Sequence, residues 1–235
     1  SEATLARVAH LIGKPDADTL VMGFARRFAT YKRATLLFSD PARLARLLND
    51  PVRPTVVVFA GKAHASDAPG QHLIKVIHEF SQRPEFQGRI IVLEGYDIRL
   101  ARQLVSGVDL WLNTPEYPLE ASGTSGQKAA INGVVNLSVL DGWWGEGFNG
   151  RNGWGIVPRE PRLDIEQRNR DEAKDLLDLI EHEVLPLYFS RNGHGFSSGW
   201  VALAKASMKS IIPRFNSLRM VMDYVMRLYC PAREQ

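Results

Sequence analysis

From Thr19 onward, short apolar runs alternate with longer stretches in which apolar residues recur every three or four positions. TLVMGFA (19–25), PTVVVFAG (54–61), RIIVLEGY (89–96), VDLWLNT (108–114) and VVNLSVL (134–140) predict strands, rich in β-branched and aromatic residues. Between them the spacing predicts helices over 32–48, 71–81 and 98–104. Alternation of this kind predicts an α/β fold, a doubly wound Rossmann-like parallel sheet. Beyond Pro158, helical spacing covers 165–185, 199–212 and 216–229 with no strand between, which predicts a C-terminal helical tail packed on the sheet. No repeat or low-complexity linker interrupts the chain, so one domain is expected over 1–235, with the core at 1–158 and the packed helices at 159–235.

Such sheets bind ligands at the carboxyl ends of their strands, where loops lead into helix N-termini. The loops of interest are therefore 25–31, 61–67, 94–97 and 114–126.

Composition narrows the classes. The 29 Lys and Arg against 26 Asp and Glu leave a formal +3, and the arginines are scattered, so a nucleic-acid surface is not expected. The single cysteine, Cys230, excludes an internal disulfide framework and reads as an incidental or buried thiol. No apolar run reaches the roughly 20 residues of a membrane span, and no charged-then-apolar leader opens the chain. A cytoplasmic protein without membrane partners is expected. The start at Ser1 without methionine reads as a processed or excised piece. His10, His72, His78, His182 and His194 show no metal-ligand spacing, so no metal is expected.

Three loops carry candidate chemistry. In GFARRFATYKRATLLF (23–38), Thr30 reads as a helix N-cap with Lys32 at the second helical position. Arg26, Arg27, Lys32 and Arg33 crowd the predicted strand end. Cations at a helix N-terminus oppose its dipole by roughly 0.3–1 kcal/mol each. A bound anion, most naturally a phosphate, reverses that sign, and this reading is preferred over four side chains merely solvated.

In EASGTSGQKAAING (120–133), Gly123 and Gly126 allow close backbone approach, while Ser122, Thr124 and Ser125 add hydroxyls, together a cradle for an anion. The run is not a Walker loop, because Gln127 separates Gly126 from Lys128 and Ala129 follows. Asn132 and Gly133 read as a C-cap closing a short helix. Lys128 is expected in that helix's first turn, either as a surface lysine or as a reactive amine kept neutral by the positive helix end and by burial. Glu120 can complement the dipole or accept hydrogen bonds from a polyol. In LEGYDIRLA (93–101), Tyr96 is equally a core residue or a ring covering a flat ligand. Lys62 and His64 read first as a solvated loop.

These motifs, with FAGKAH (59–64), GRIIVLEGYD (88–97) and NLSVLDGWW (136–144), stand in an order that resembles the α-glucan phosphorylases of glycogen, starch and maltodextrin, of the shorter bacterial kind. The resemblance extends to PRFNSLRMVMDYVMRLYCPA (213–232). It implies the C-terminal half of a two-domain, glycosyltransferase-B-type fold and a retaining phosphorolysis of α-1,4-glucan by inorganic phosphate to glucose 1-phosphate. It further implies that Lys128 carries pyridoxal 5′-phosphate, whose own phosphate relays the proton. Arg26 and the backbone of Thr124 and Ser125 would hold the cofactor phosphate, and Tyr96 would pack on the pyridoxal ring. Arg27 and Lys32 would hold the substrate phosphate, while Glu120, Ser122 and Gly123 would bond sugar hydroxyls. The implied partners are the glucan, the two phosphates, an N-terminal domain of the same enzyme and, for the full-length protein, a second copy. Without that domain the isolated chain is expected to have little or no turnover. Gln127 departs from the methionine of many members, and Ala29-Thr30 from the histidine and glutamate of the larger animal enzymes. Two other functions stay open. A nucleotide-sugar glycosyltransferase resembling glycogen synthase would need no reactive lysine at 128; the other is a non-catalytic cofactor- or sugar-phosphate-binding module, since the opposite wall of the cleft belongs to the other domain.

Overall fold

The computed structural model of the chain describes residues 19–160 and 164–233; His10 lies outside the described residues. Six strands, β1 (Leu20–Ala25), β2 (Thr55–Ala60), β3 (Ile90–Leu93), β4 (Leu110–Asn113), β5 (Val135–Val139) and β6 (Gly153–Ile156), form one parallel sheet in the order β3-β2-β1-β4-β5-β6. Every pairing is parallel, with β1 and β2 in full register from Leu20↔Thr55 to Ala25↔Ala60. β1 to β3 are laid down toward one edge of the sheet and β4 to β6 toward the other, so the winding order switches between β1 and β4 and opens a crevice beyond their carboxyl ends.

Side chains of a strand point alternately to the two faces, and here both faces are buried. On one, Met22, Phe24, Val57, Phe59, Leu110, Leu112 and Leu137 meet Leu44, Ile77, Leu176 and Trp200 from helices. On the other, Val56, Val58, Ala60 and Trp111 meet Leu104 and Ala129. Each fully buried aliphatic or aromatic side chain contributes about 1.5–3 kcal/mol, so this two-sided core dominates stability. The covering helices are α1 (Pro41–Leu48), α2 (Ala68–Gln82), α3 (Ile98–Gly107), α4 (Thr124–Ile131), α5 (Trp143–Gly147), α6 (Ile165–Leu179), α7 (Leu185–Phe189) and α8 (Ser198–Ile211). Aspartates cap three of the early ones, with Asp40, Asp67 and Asp97 accepting the N–H of Arg43, Gly70 and Leu100.

Three expectations are corrected. The helix predicted over 32–48 is broken: a 3₁₀ turn at Thr30–Lys32 ends where Arg33 turns left-handed at φ 46, a second covers Leu36–Ser39, and α1 starts only at Pro41. Proline disfavours helical backbone in the residue before it and suits the first helical position, and Asp40 supplies the cap. Thr30 caps nothing; Ala29 precedes the turn without a side-chain bond. Second, β6 has no counterpart among the expected strands, because half of GWGI is glycine and carries no strand signal of its own. Third, the packed part of the tail ends at Phe215, whose ring stands edge-on to Trp143 with centroids 5.3 Å apart. The next helix, α9 (Ser217–Tyr224), buries no residue, and Leu218, Val221 and Met222 lie exposed on it. Cys230 is exposed as well. Among the described residues no helix is long and apolar enough to cross a membrane.

Candidate functional site

The crevice between β1 and β4 is where the chemistry-bearing side chains gather. β1 delivers Arg26 directly at its end, and the loop is pinned to β2's far end by Arg26 N–H donating to Ala60 O (3.1 Å) and Phe28 N–H to Lys62 O (2.9 Å). The turn at Thr30–Lys32 then points Lys32 back inward, so it is buried. From the neighbouring strand come Asn113 and, after a loop, Glu120. One carboxylate oxygen, Glu120 Oε2, accepts from both Arg26 Nη2 and Lys32 Nζ. Arg26 Nη1 also donates to Asn113 Oδ1, whose amide donates to Ser138 Oγ on β5 (3.1 Å).

Arg26, Lys32 and Glu120 are 9%, 6% and 7% exposed, so two cations and one anion share a site nearly closed to water. Charge in such a place is costly unless neutralised, and this cluster keeps one positive charge in excess. Burial lowers the Arg26 guanidinium below its ordinary value, with Glu120 opposing that shift by charge and hydrogen bond. Tyr96 is half-buried beside it; burial raises its phenol and the Arg26 charge pulls it back down. Arg26 Nε is buried without a partner among the described residues.

The run beginning at Glu120 builds the other side. Gly123 precedes α4 at φ +90, a left-handed conformation that suits glycine, and offers no side chain to cap the helix. Gly126 is buried in the first turn, where a Cβ would come 2.7 Å from Asn136 Oδ1 and 2.8 Å from Trp143 Nε1. Ser122 and Ser125 are half-buried and Thr124 is exposed. Asp141, at the end of β5, accepts the Glu120 N–H at 2.9 Å.

Two readings of cations change. Lys128 sits in the last turn of the eight-residue α4 and is exposed, so the argument that placed it against the positive helix end in a buried setting does not hold. Among the described residues its amine forms no ion pair. Nor do four cations converge. Arg33 is buried but turned away: it pairs with Glu172 of α6 and donates to Thr114 O (3.0 Å), Pro115 O (2.7 Å) and Asn169 Oδ1 (2.9 Å). It is a tether between the loop after β4 and a helix, strong enough to hold a non-glycine residue left-handed. Arg27 is exposed next to the cluster in sequence. Lys62 and His64 are exposed, and His64 Nδ1 meets the nearby Ser66, its Oγ at 2.7 Å and its N–H at 3.2 Å.

Asn113, Asp141 and Glu172 escaped sequence reasoning. Asn113 ends a predicted strand and Asp141 precedes a glycine at another strand end, positions that could have marked both; Glu172 carries no such signal.

The sequence profile of the family described as carbohydrate phosphorylase matches residues 13–144. The chain is 49% identical over 217 residues to a maltodextrin phosphorylase of Thermococcus litoralis, covering 92% of this chain and 26% of that protein. It is 49% identical over 214 residues to a glycogen phosphorylase of Aquifex aeolicus, covering 91% and 30%. A glycogen phosphorylase of Mycobacterium bovis is 43% identical over 232 residues, covering 99% and 27%. The chain thus spans 26–30% of the length of these relatives.

Proposed function

This chain belongs to the carbohydrate phosphorylase family, and on that premise we propose that it forms the cofactor- and phosphate-binding part of a retaining α-1,4-glucan phosphorylase. The observation that carries the reading is the buried Arg26–Glu120–Lys32 cluster at the switch point of the sheet. A cluster holding excess positive charge beside a glycine-initiated, uncapped helix suits phosphate groups.

The residues present fit pyridoxal 5′-phosphate. The unpartnered Arg26 Nε offers a donor already turned into the protein. The first amides of α4 lack a side-chain cap, and Gly123 and Gly126 let them approach a ligand closely. Arg26 with the amides of Thr124 and Ser125 would hold the cofactor phosphate, Tyr96 would cover the ring, and the exposed Lys128 amine would attach it. When bound, the cofactor supplies a phosphate that exchanges a proton with the substrate phosphate.

Lys32 has donors beyond the one engaged by Glu120, and Arg27 is free to swing; these two would bind inorganic phosphate. Two phosphates side by side repel, and the cations of this loop reduce that repulsion. Both contacts of Glu120 fall on Oε2, so Oε1 is left for a sugar hydroxyl, with Ser122 and Gly123 adding further bonds. Substrate phosphate then protonates the departing glycosidic oxygen and adds to the sugar C1 on the same face, giving glucose 1-phosphate. The glucan and the remainder of the enzyme complete the site, and the reaction is placed in the cytoplasm. Borohydride trapping of the chain with pyridoxal phosphate, followed by mass mapping, tests this. A label on Lys128 that vanishes in Lys128→Ala is expected; no label there, or one that survives the substitution, overturns the reading.

A further inference from the structure

We infer that Asp141 is the positioning residue that sets Glu120 on its two cations, and that the bend at 141–143 braces the whole Glu120–Ser122 turn. The inference rests on the function proposed above for Glu120, Arg26 and Lys32.

Asp141 lies two residues past the end of β5 and is 6% exposed. Its two carboxylate oxygens are divided: Oδ1 accepts from Gly142 N–H and Oδ2 from Glu120 N–H, each at 2.9 Å. Two residues on, Trp143 N–H donates to Ser122 O at 2.8 Å. The bend therefore grips both ends of a three-residue turn that lies 21 positions earlier in the chain. The contact is close. Gly142 sits at φ +53, and a Cβ there would come 2.5 Å from Ser122 O and 2.8 Å from Glu120 O. The indole of Trp143 continues the brace, with its Cδ1 3.3 Å from where a Cβ of Gly123 would be.

Asp141 forms no ion pair among the described residues, so amide N–H groups alone balance its carboxylate. Amide bonds to a carboxylate are the stronger, charge-assisted kind. The glutamate head that meets Arg26 and Lys32 is carried on a flexible side chain, and its placement depends on a fixed Cα. Orientation errors of about 1 Å cost on the order of a hundredfold in a positioned site. Aspartate suits the task because both oxygens accept; asparagine offers one acceptor and one donor, and can satisfy only one of the two amides.

The test uses the full chain, Asp141→Ala and Asp141→Asn, with two readouts: exchange of the Glu120 amide proton followed by NMR, and affinity for pyridoxal phosphate by absorbance titration. Asp141→Ala is expected to lose protection of that one amide and to bind pyridoxal phosphate about tenfold more weakly, the equivalent of about 1.4 kcal/mol, the order of one hydrogen bond to a charged group. Asp141→Asn should recover part of both. A lower melting temperature with unchanged Glu120 exchange and unchanged affinity would make Asp141 merely structural and overturn the inference. If the wild-type chain itself fails to bind the cofactor, the proposed function fails, and Glu120 exchange alone judges Asp141: equal protection in wild type and variant overturns it. Should Asp141→Ala not fold, the same comparison on Asp141→Asn decides.

Discussion

Replacing Glu120 by glutamine tests whether the carboxylate is the internal counter-ion of the crevice. Glutamine keeps the size and one acceptor but removes the charge, leaving Arg26 and Lys32 buried and uncompensated. Removing one partner of a buried ion pair costs about 3–5 kcal/mol. A retained neutral hydrogen bond offsets about 0.5–1.5 kcal/mol of that, so a net loss of about 3 kcal/mol is expected. For a chain of this size about 2–4 °C accompanies each kcal/mol, so the melting temperature should fall by roughly 6–12 °C. Inorganic phosphate should then recover most of the loss, since a ligand at about 100 times its Kd adds about 2.7 kcal/mol. The assay is thermal unfolding by circular dichroism, with phosphate compared against chloride at equal ionic strength. An unchanged melting temperature in Glu120→Gln refutes the reasoning, as does phosphate that stabilises wild type more than the variant.

Two other outcomes follow from the geometry. Gly126→Ala places a methyl against Asn136 and Trp143, both buried; despite alanine's better helix propensity, overpacking should destabilise by about 1–3 kcal/mol in urea unfolding. Asp109 accepts the Val21 N–H at 2.9 Å, and burial raises its carboxyl above the ordinary 3.8, against opposing bonds to Val21 and Tyr188 and the charge of Arg191. The native state then binds this proton more tightly than the unfolded chain, so wild-type stability falls as pH rises from 3.8 through the native value and levels off above it. Asp109→Asn does not titrate, so its stability relative to wild type should improve across that window; urea unfolding at acid and neutral pH checks the sign.

Local sequence was a good guide wherever one element's pattern decides its own state. Strands β1 to β5 and the helices over 68–82 and 98–107 follow from apolar period and turn residues. The loops after β1 and β4 were identified because sheet topology alone places ligands there. What remained hidden depends on partners distant in the chain. Whether Arg33 or Lys32 turns inward is decided by Glu172 and Glu120, 139 and 88 positions away. Lys128 was misplaced by one turn because the helix starts at Thr124, right after a left-handed glycine, and extends only eight residues. β6 is held by its neighbour β5 rather than by its own propensity.

The contact of Arg26 with Asn113 and Glu120 also laces together the two strands that share the shortest pairing in the sheet, only Met22↔Leu110 and Gly23↔Trp111. The same bonds that would greet a guest anion therefore fasten the seam of the fold. Affinity and rigidity are not separate dials here, and any substitution that loosens the grip on a guest also unpicks the stitching between the sheet's two halves.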